Sequence, residues 1–181
     1  PLAAAIRDAR QAGKGRVIGL SPQGRPLDQA TVERLAAESA LVLLAGRYEG
    51  IDQRLLDAEV DEELSIGDYV VAGGELPAML LIDAISRLVP NVVGSSDSIQ
   101  NDSFFNGLLQ FPQYTRPASF RDMGVPDVLL SGNHNQIQKW REIKSLEKTY
   151  KRRPDLLDQL ELTQEQNTSV ESFDNDNKLP L

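Results

Sequence analysis

The chain has 181 residues, 40% of them apolar and 25% charged, enough for a hydrophobic core and unlike a disordered polymer. It has no Cys and one His, which excludes disulfides, thiolate metal sites and paired-histidine chemistry. The net charge of −8 argues against a polyanionic partner on average, yet the charge is uneven: +2 over 1–54, −8 over 55–83, −1 over 84–133, +5 over 134–154 and −6 over 155–181.

Residues 1–12 are Ala-rich and predict a helix that Gly13 and Gly15 end. Arg16 to Leu20 predicts a short buried strand. Ser21-Pro22-Gln23-Gly24-Arg25-Pro26 predicts a loop, since neither a helix nor a strand continues easily through it. Leu27 to Ser39 predicts a helix. Ala40 to Ala45 is continuously apolar, the pattern of a central parallel strand, and Gly46 stops it. Ile51 to Ala58 predicts a helix, and Glu63 to Ile66 and Tyr69 to Ala72 predict short strands. Glu75 to Leu88 is apolar nearly all round and predicts a buried helix, with Pro77 tolerated in its first turn. This alternation implies an α/β layer fold with a mostly parallel sheet.

Asn91 to Pro117 is long, polar and marked by Gly and Pro, as a functional loop or a linker is. His134 to Pro154 predicts a helix with Arg141, Lys144, Lys148 and Lys151 on one stripe and Trp140, Ile143, Leu146 and Tyr150 on the next. The basic stripe fits either a solvated amphipathic face or a surface that tracks phosphates. The segment from Asn167 onward is polar and acidic and predicts a disordered tail. No apolar run approaches the roughly 18 residues of a membrane span, and no signal-peptide pattern is present. A soluble, cytoplasmic protein is expected. The first residue is Pro1 rather than Met, as in a processed chain or a fragment.

Three segments share one logic: Leu20 to Gly24, Gly46 to Gly50, and Ile66 to Gly74. Each follows an apolar strand-like run and is built on glycine or proline. Ligands of open α/β sheets bind beyond the carboxyl ends of strands, and glycines let the backbone approach them closely. The segments therefore suit a nucleoside read by backbone groups, or plain turns. The dinucleotide fingerprint and the P-loop are absent. Acid–base work falls to carboxylates, and charge stabilisation to Arg or backbone donors. Arg87 ends the predicted buried helix, where it can also serve as a cap. Asp102 lies in the long polar loop before Phe104 and Phe105, where it can also be a turn carboxylate. His134 starts a helix and suits a structural role.

Several motifs in order resemble one family. Gly46-Arg47-Tyr48-Glu49-Gly50-Ile51-Asp52 is the first. Ser65-Ile66-Gly67-Asp68-Tyr69-Val70 with Gly73-Gly74-Glu75-Leu76-Pro77-Ala78 is the second. Tyr114-Thr115-Arg116-Pro117 and Val128-Leu129-Leu130-Ser131-Gly132-Asn133-His134 follow. From about Val17 to Gln166 the chain resembles the bacterial-type tRNA (guanine-N1-)-methyltransferases, which are SPOUT-class enzymes.

The resemblance implies an α/β cofactor domain over 1–93 with a trefoil knot, a rarity among proteins. It implies a linker over 94–117, a small all-helical tRNA-binding domain over 118–166, and the tail over 167–181. It implies S-adenosyl-L-methionine as cofactor, held by Ser21, Pro22, Gly46, Tyr48, Glu49, Gly50, Ile66, Gly67, Asp68, Tyr69, Val70, Val71, Gly73 and Gly74. Mg²⁺ stimulation without a dedicated protein cage goes with it. The implied substrate is tRNA with guanine at position 37. Asp102 would take the N1 proton and Arg87 would stabilise charge on O6. A homodimer is implied, with Asp102 of one copy facing the cofactor of the other. Members carry a further N-terminal segment, so the chain is expected to be truncated. Two other readings stand beside this one: an inactive fragment that only dimerises and binds tRNA, and a different nucleoside-binding α/β enzyme.

Overall fold

Val17 and Ile18 have no exposed surface and point to opposite faces of the strand on which the first half of the chain is built. The computed structural model describes residues 1–90, 92 and 101–176. The chain divides into two compact units, Pro1–Ser96 and Asp97–Leu181.

The first unit contains α1 (Leu2–Gly13), β1 (Arg16–Pro26), α2 (Gln29–Ala36), β2 (Leu41–Ala45), α3 (Gln53–Glu59), β3 (Glu62–Ser65) and α4 (Glu75–Ser86). Its sheet has the order β2-β1-β3, all parallel. Val17 packs with Ile6 and Leu44, and with Leu55 and Leu56 of α3. Ile18 packs on the other face with Leu35 of α2, Leu64 and Leu81 of α4. Helices thus cover both faces, as a parallel sheet requires. Each fully buried Leu or Ile contributes about 1.5–3 kcal/mol relative to exposure.

Four expectations are corrected here. The strand does not end at Leu20: it pairs with Leu64, leaves the sheet over Ser21–Gly24 and re-enters at Arg25, which again pairs with Leu64. Re-entry depends on Gly24, where a Cβ would lie 2.5 Å from the Glu63 carbonyl carbon and the Leu64 nitrogen. β2 is an edge of the described sheet and β1 is its centre; α1 and α3 cover β2, so its apolar run reflects burial by helices rather than a central position. Tyr69 to Ala72 is bent rather than a strand: Gly67 takes a φ of 143° and the Tyr69 N–H donates to the Gly67 carbonyl at 2.9 Å. Finally, α4 buries only Pro77 and Leu81, while Leu76 and Met79 are 64% and 65% exposed and Leu80 and Ile82 are also exposed.

Glu62 at the start of β3 gathers three arginines. Arg25 and Arg34 donate to it at 2.9 and 2.8 Å, and Arg16 stands 3.7 Å away. Burial pushes the Glu62 carboxyl up, but the hydrogen bonds from Arg25 and Arg34 outweigh it and hold the group below its ordinary value. A depressed carboxyl stabilises the fold above the ordinary carboxylate range, and that stabilisation is lost as pH falls through the folded value. Glu62→Gln is expected to cost about 1–2 kcal/mol at neutral pH and to flatten the acid dependence of stability. Urea unfolding at pH 7 and pH 4 checks this. An acid sensitivity identical to the parent's would remove Glu62 from the account.

The second unit contains the antiparallel hairpin β4 (Ser119–Phe120) and β5 (Met123–Gly124), followed by α5 (Asp127–Leu130), α6 (His134–Arg152), α7 (Pro154–Leu157) and α8 (Gln164–Asp176). The expectation of an all-helical segment over 118–166 is corrected by the hairpin, whose turn places Arg121 and Asp122 at φ of 52° and 63°. Leu108, Leu146 and Leu157 form the core, with Val170 and Phe173 of α8 packed against it. The expected disordered tail is therefore a helix over 167–176, and 177–181 lie outside the described residues. Val170 and Phe173 are three apart and share a face. Thr163 and Gln166 form a reciprocal capping box, each side chain accepting the other's backbone N–H. Of the expected linker, 101–117 belong to the second unit, and 94–100 lie outside the described residues.

Candidate active site

The excursion of β1, the turn after β2 and the loop after β3 meet at the carboxyl ends of the three strands. They enclose a cavity of about 270 Å³ within the first unit. Ser21 and Pro22 form one side, Gly46, Tyr48, Glu49 and Gly50 the second, and Ile66, Tyr69, Val70, Val71, Gly73 and Gly74 the third. Gly67 and Asp68 belong to the third loop but are not on the cavity wall. Gly67 instead shapes the loop: its N–H donates to Ser65 Oγ at 3.2 Å, and that hydroxyl donates back to the Gly67 carbonyl at 3.0 Å.

The second and third loops are tied together. The Gly74 N–H donates to the Gly46 carbonyl at 2.8 Å, and Arg47 and Gly73 form an isolated antiparallel bridge. Arg47 Nε also donates to Glu75 Oε1 at 2.6 Å, which holds the Glu75 carboxyl below its ordinary value. Gly74 stands so close to β2 that a Cβ would lie 2.7 Å from the Ala45 Cα. Tyr48 is held at a φ of 64° with its side chain 99% exposed. Glycine thus brings the backbone of the second and third loops together along this wall.

Leu20, Gln23 and Arg47 of the expected segments also line this wall, and sequence reasoning missed Gly19, Glu63 and Ser65, which lie outside those segments. Their signal was their place at or just past strand ends, where the ligand crevice of a parallel sheet lies. Among the described residues, no three His, Cys, Asp or Glu side chains cluster to hold a metal ion. No described helix is long and apolar enough to cross a membrane.

Arg87 is the C-terminal cap of α4 in the first unit, and its N–H donates to the Asp83 carbonyl at 3.3 Å. It is not on the cavity wall. Asp102 belongs to the second unit and borders a polar cavity of about 250 Å³ with Asn101, Asn106, Gln138 and Glu142. The loop that carries it is anchored to α6. Thr149, fully buried, accepts the Leu109 N–H at 2.8 Å and donates to the Ser145 carbonyl at 2.7 Å. Lys148 donates to the Gln110 carbonyl at 3.0 Å, and the Gln110 N–H donates to Ser103 Oγ at 2.9 Å, one residue from Asp102.

The basic stripe of α6 is largely committed inside the second unit. Lys144 and Lys151 both pair with Glu147, at 2.6 and 2.7 Å, and hold its carboxyl below the ordinary value. Lys148 is the loop anchor, and the Arg141 guanidinium lies 4.8 Å over the Phe111 ring. His134 starts α6 after the cap residue Asn133, which accepts the Gln136 N–H.

The sequence profile of the family described as tRNA (guanine-1)-methyltransferase TrmD matches residues 1–159. The tRNA (guanine-N(1)-)-methyltransferase of Pseudomonas fluorescens strain Pf-5 is 57% identical over 175 residues, which is 96% of this chain and 70% of that protein. The proteins of the same name from Pseudomonas aeruginosa PAO1 and Pseudomonas syringae pv. tomato DC3000 are 57% and 58% identical, each over 92% of this chain and 67% of its own length. With a family profile spanning most of the sequence and identity above half, the chain belongs to the tRNA (guanine-1)-methyltransferase family.

Proposed function

We propose that the chain transfers a methyl group from S-adenosyl-L-methionine to N1 of guanine 37 in tRNA. The observation that carries this is the convergence of the three glycine-bearing loops, whose motifs resemble those of the family, on one cavity beyond a parallel sheet. The donor fits that cavity in chemistry. The wall offers backbone groups where glycine brings loops together, apolar surface from Leu20 and Ile51, and the carboxylates of Glu49 and Glu63 for a cationic ligand. When bound, the donor supplies an electrophilic methyl group on a sulfonium. Ser21 and Pro22, Gly46 to Gly50, Ile66 and Tyr69 to Gly74 would hold and orient it, with Gly67 shaping the loop from behind the wall.

Guanine N1 carries a proton at neutral pH and is a poor nucleophile. Asp102 would accept that proton, a role that requires its carboxylate to come within hydrogen-bond reach of N1. Negative charge then develops on O6, and the Arg87 guanidinium stabilises it there. The proposal includes the trefoil knot and a homodimer in which Asp102 of one copy serves the donor of its partner. The apolar face of α4 supports the pairing, because Leu76, Met79, Leu80 and Ile82 are exposed among the described residues, as a surface that pairs with a second copy is. A cytoplasmic location goes with this reading.

The test uses methyl-labelled donor and two tRNA transcripts, one with guanine at position 37 and one with that guanine replaced. Label on the first transcript alone is expected. Label on both would overturn the assigned position. tRNA binding without transfer would favour the inactive, tRNA-holding alternative.

A further inference from the structure

One motif has no role in the chemistry above: Tyr114-Thr115-Arg116-Pro117. In the second unit it lines a groove of about 680 Å³ with Phe111, Trp140 of α6 and Leu130 of α5. The Tyr114 and Trp140 rings stand 6.2 Å apart at 56°. Tyr114 is 48% exposed and Arg116 is exposed. Arg141 closes the groove with its guanidinium over Phe111, and its buried Nε has no hydrogen-bond partner. Among the described residues, two arginines and no carboxylate line the groove, in a chain of net charge −8.

Exposed aromatic faces beside guanidinium groups, in a wall without carboxylates, are the chemistry that holds an unpaired nucleotide. The base stacks on an exposed ring, and a guanidinium meets the phosphate. The basic stripe of α6 is less suited, since Glu147 neutralises two of its lysines and a loop carbonyl takes a third. We infer that this groove binds one unpaired nucleotide of the tRNA substrate, with its base against Tyr114 and Trp140 and its phosphate on Arg116. The inference rests on the tRNA reading above.

Trp140 is the chain's only tryptophan, so intrinsic fluorescence reports from the groove itself. The full chain is titrated with tRNA and, separately, with guanosine monophosphate, while filter binding measures tRNA affinity independently. Saturating quenching by tRNA is expected at the concentrations where filter binding saturates. Arg116→Ala should weaken tRNA binding roughly 5- to 100-fold and reduce the salt dependence by about one phosphate contact. Tyr114→Leu should weaken it similarly, with helical content by circular dichroism unchanged. tRNA that binds with Trp140 emission unchanged, while Arg116→Ala binds as tightly as the parent, would overturn the groove and leave the tRNA reading intact. Quenching by guanosine monophosphate with none by bound tRNA would also overturn it, as a free-nucleotide site. If no tRNA binds the parent chain, the function reading fails and takes the groove with it.

Discussion

Asp102→Asn is expected to lower methyl transfer to tRNA at least about 100-fold, the size of effect of a lost general base, with donor binding unchanged. Asn keeps the size and most hydrogen-bonding geometry of the side chain but cannot take the N1 proton. Transfer would then leave a cationic guanine, with nothing to neutralise it as the methyl arrives. The loop should keep its position in the variant. Leu109 and Gln110 are anchored by Thr149 and Lys148, the Gln110 N–H holds Ser103, and Asp102→Asn keeps the shape of the aspartate. The described residues that line the donor cavity all belong to the first unit and do not include Asp102, so donor affinity is expected to stay the same. Single-turnover transfer and equilibrium dialysis of labelled donor separate the two effects. Near-normal turnover would sink the assignment of Asp102.

Gly74→Ala is expected to have the second largest effect, a loss of donor binding of tenfold or more. Gly74 has a φ of −75° and a ψ of −4°, which alanine adopts without strain. The penalty is therefore steric alone. The added Cβ would meet the Ala45 Cα at 2.7 Å and the Gly46 nitrogen at 3.0 Å, and these are backbone atoms that cannot rotate away. Overpacking of this kind costs about 1–3 kcal/mol. Relief requires the third loop to move off β2, which breaks the Gly74 N–H bond to Gly46 and the bridge between Arg47 and Gly73. Those contacts define two sides of the donor cavity. Gly124→Ala is the matched control, because a Cβ there meets nothing within 4 Å. Thermal unfolding with and without donor measures the result, since a ligand stabilises only the state that binds it. Donor stabilisation of Gly74→Ala equal to that of the control would show that the approach of the two loops is unimportant.

The positions of these two residues in the chain explain how much of the site was legible. The three loops were found as separate turn signals after apolar runs, and the rule for parallel sheets then put them at one end. Local pattern could not say that Gly67 and Asp68 turn away from the cavity while Glu63 and Ser65 join its wall. That depends on how Ser65 and Gly67 bond to each other after β3 has been placed. The capping box at Thr163 and Gln166 was legible and overlooked, because acidic composition suggested disorder more loudly than a four-residue motif suggested a helix.

Taken by itself, the sequence determined the α/β alternation, the glycine-built loops after the strands, a long helix that it placed over 134–154 and, through motifs spread along the chain, the resemblance to one family. These features arise within a few residues of chain, where periodicity and turn chemistry act. The tertiary structure alone decided that β1 rather than β2 is central and that the strand re-enters the sheet at Arg25. It also decided that half of α4 is bare and that the basic stripe of α6 is tied to Glu147 and Gln110. Each depends on which distant segment lies alongside. An apolar or charged residue has the same local signature whether its partner is a neighbouring strand, a helix across the core or solvent, and only packing selects among them.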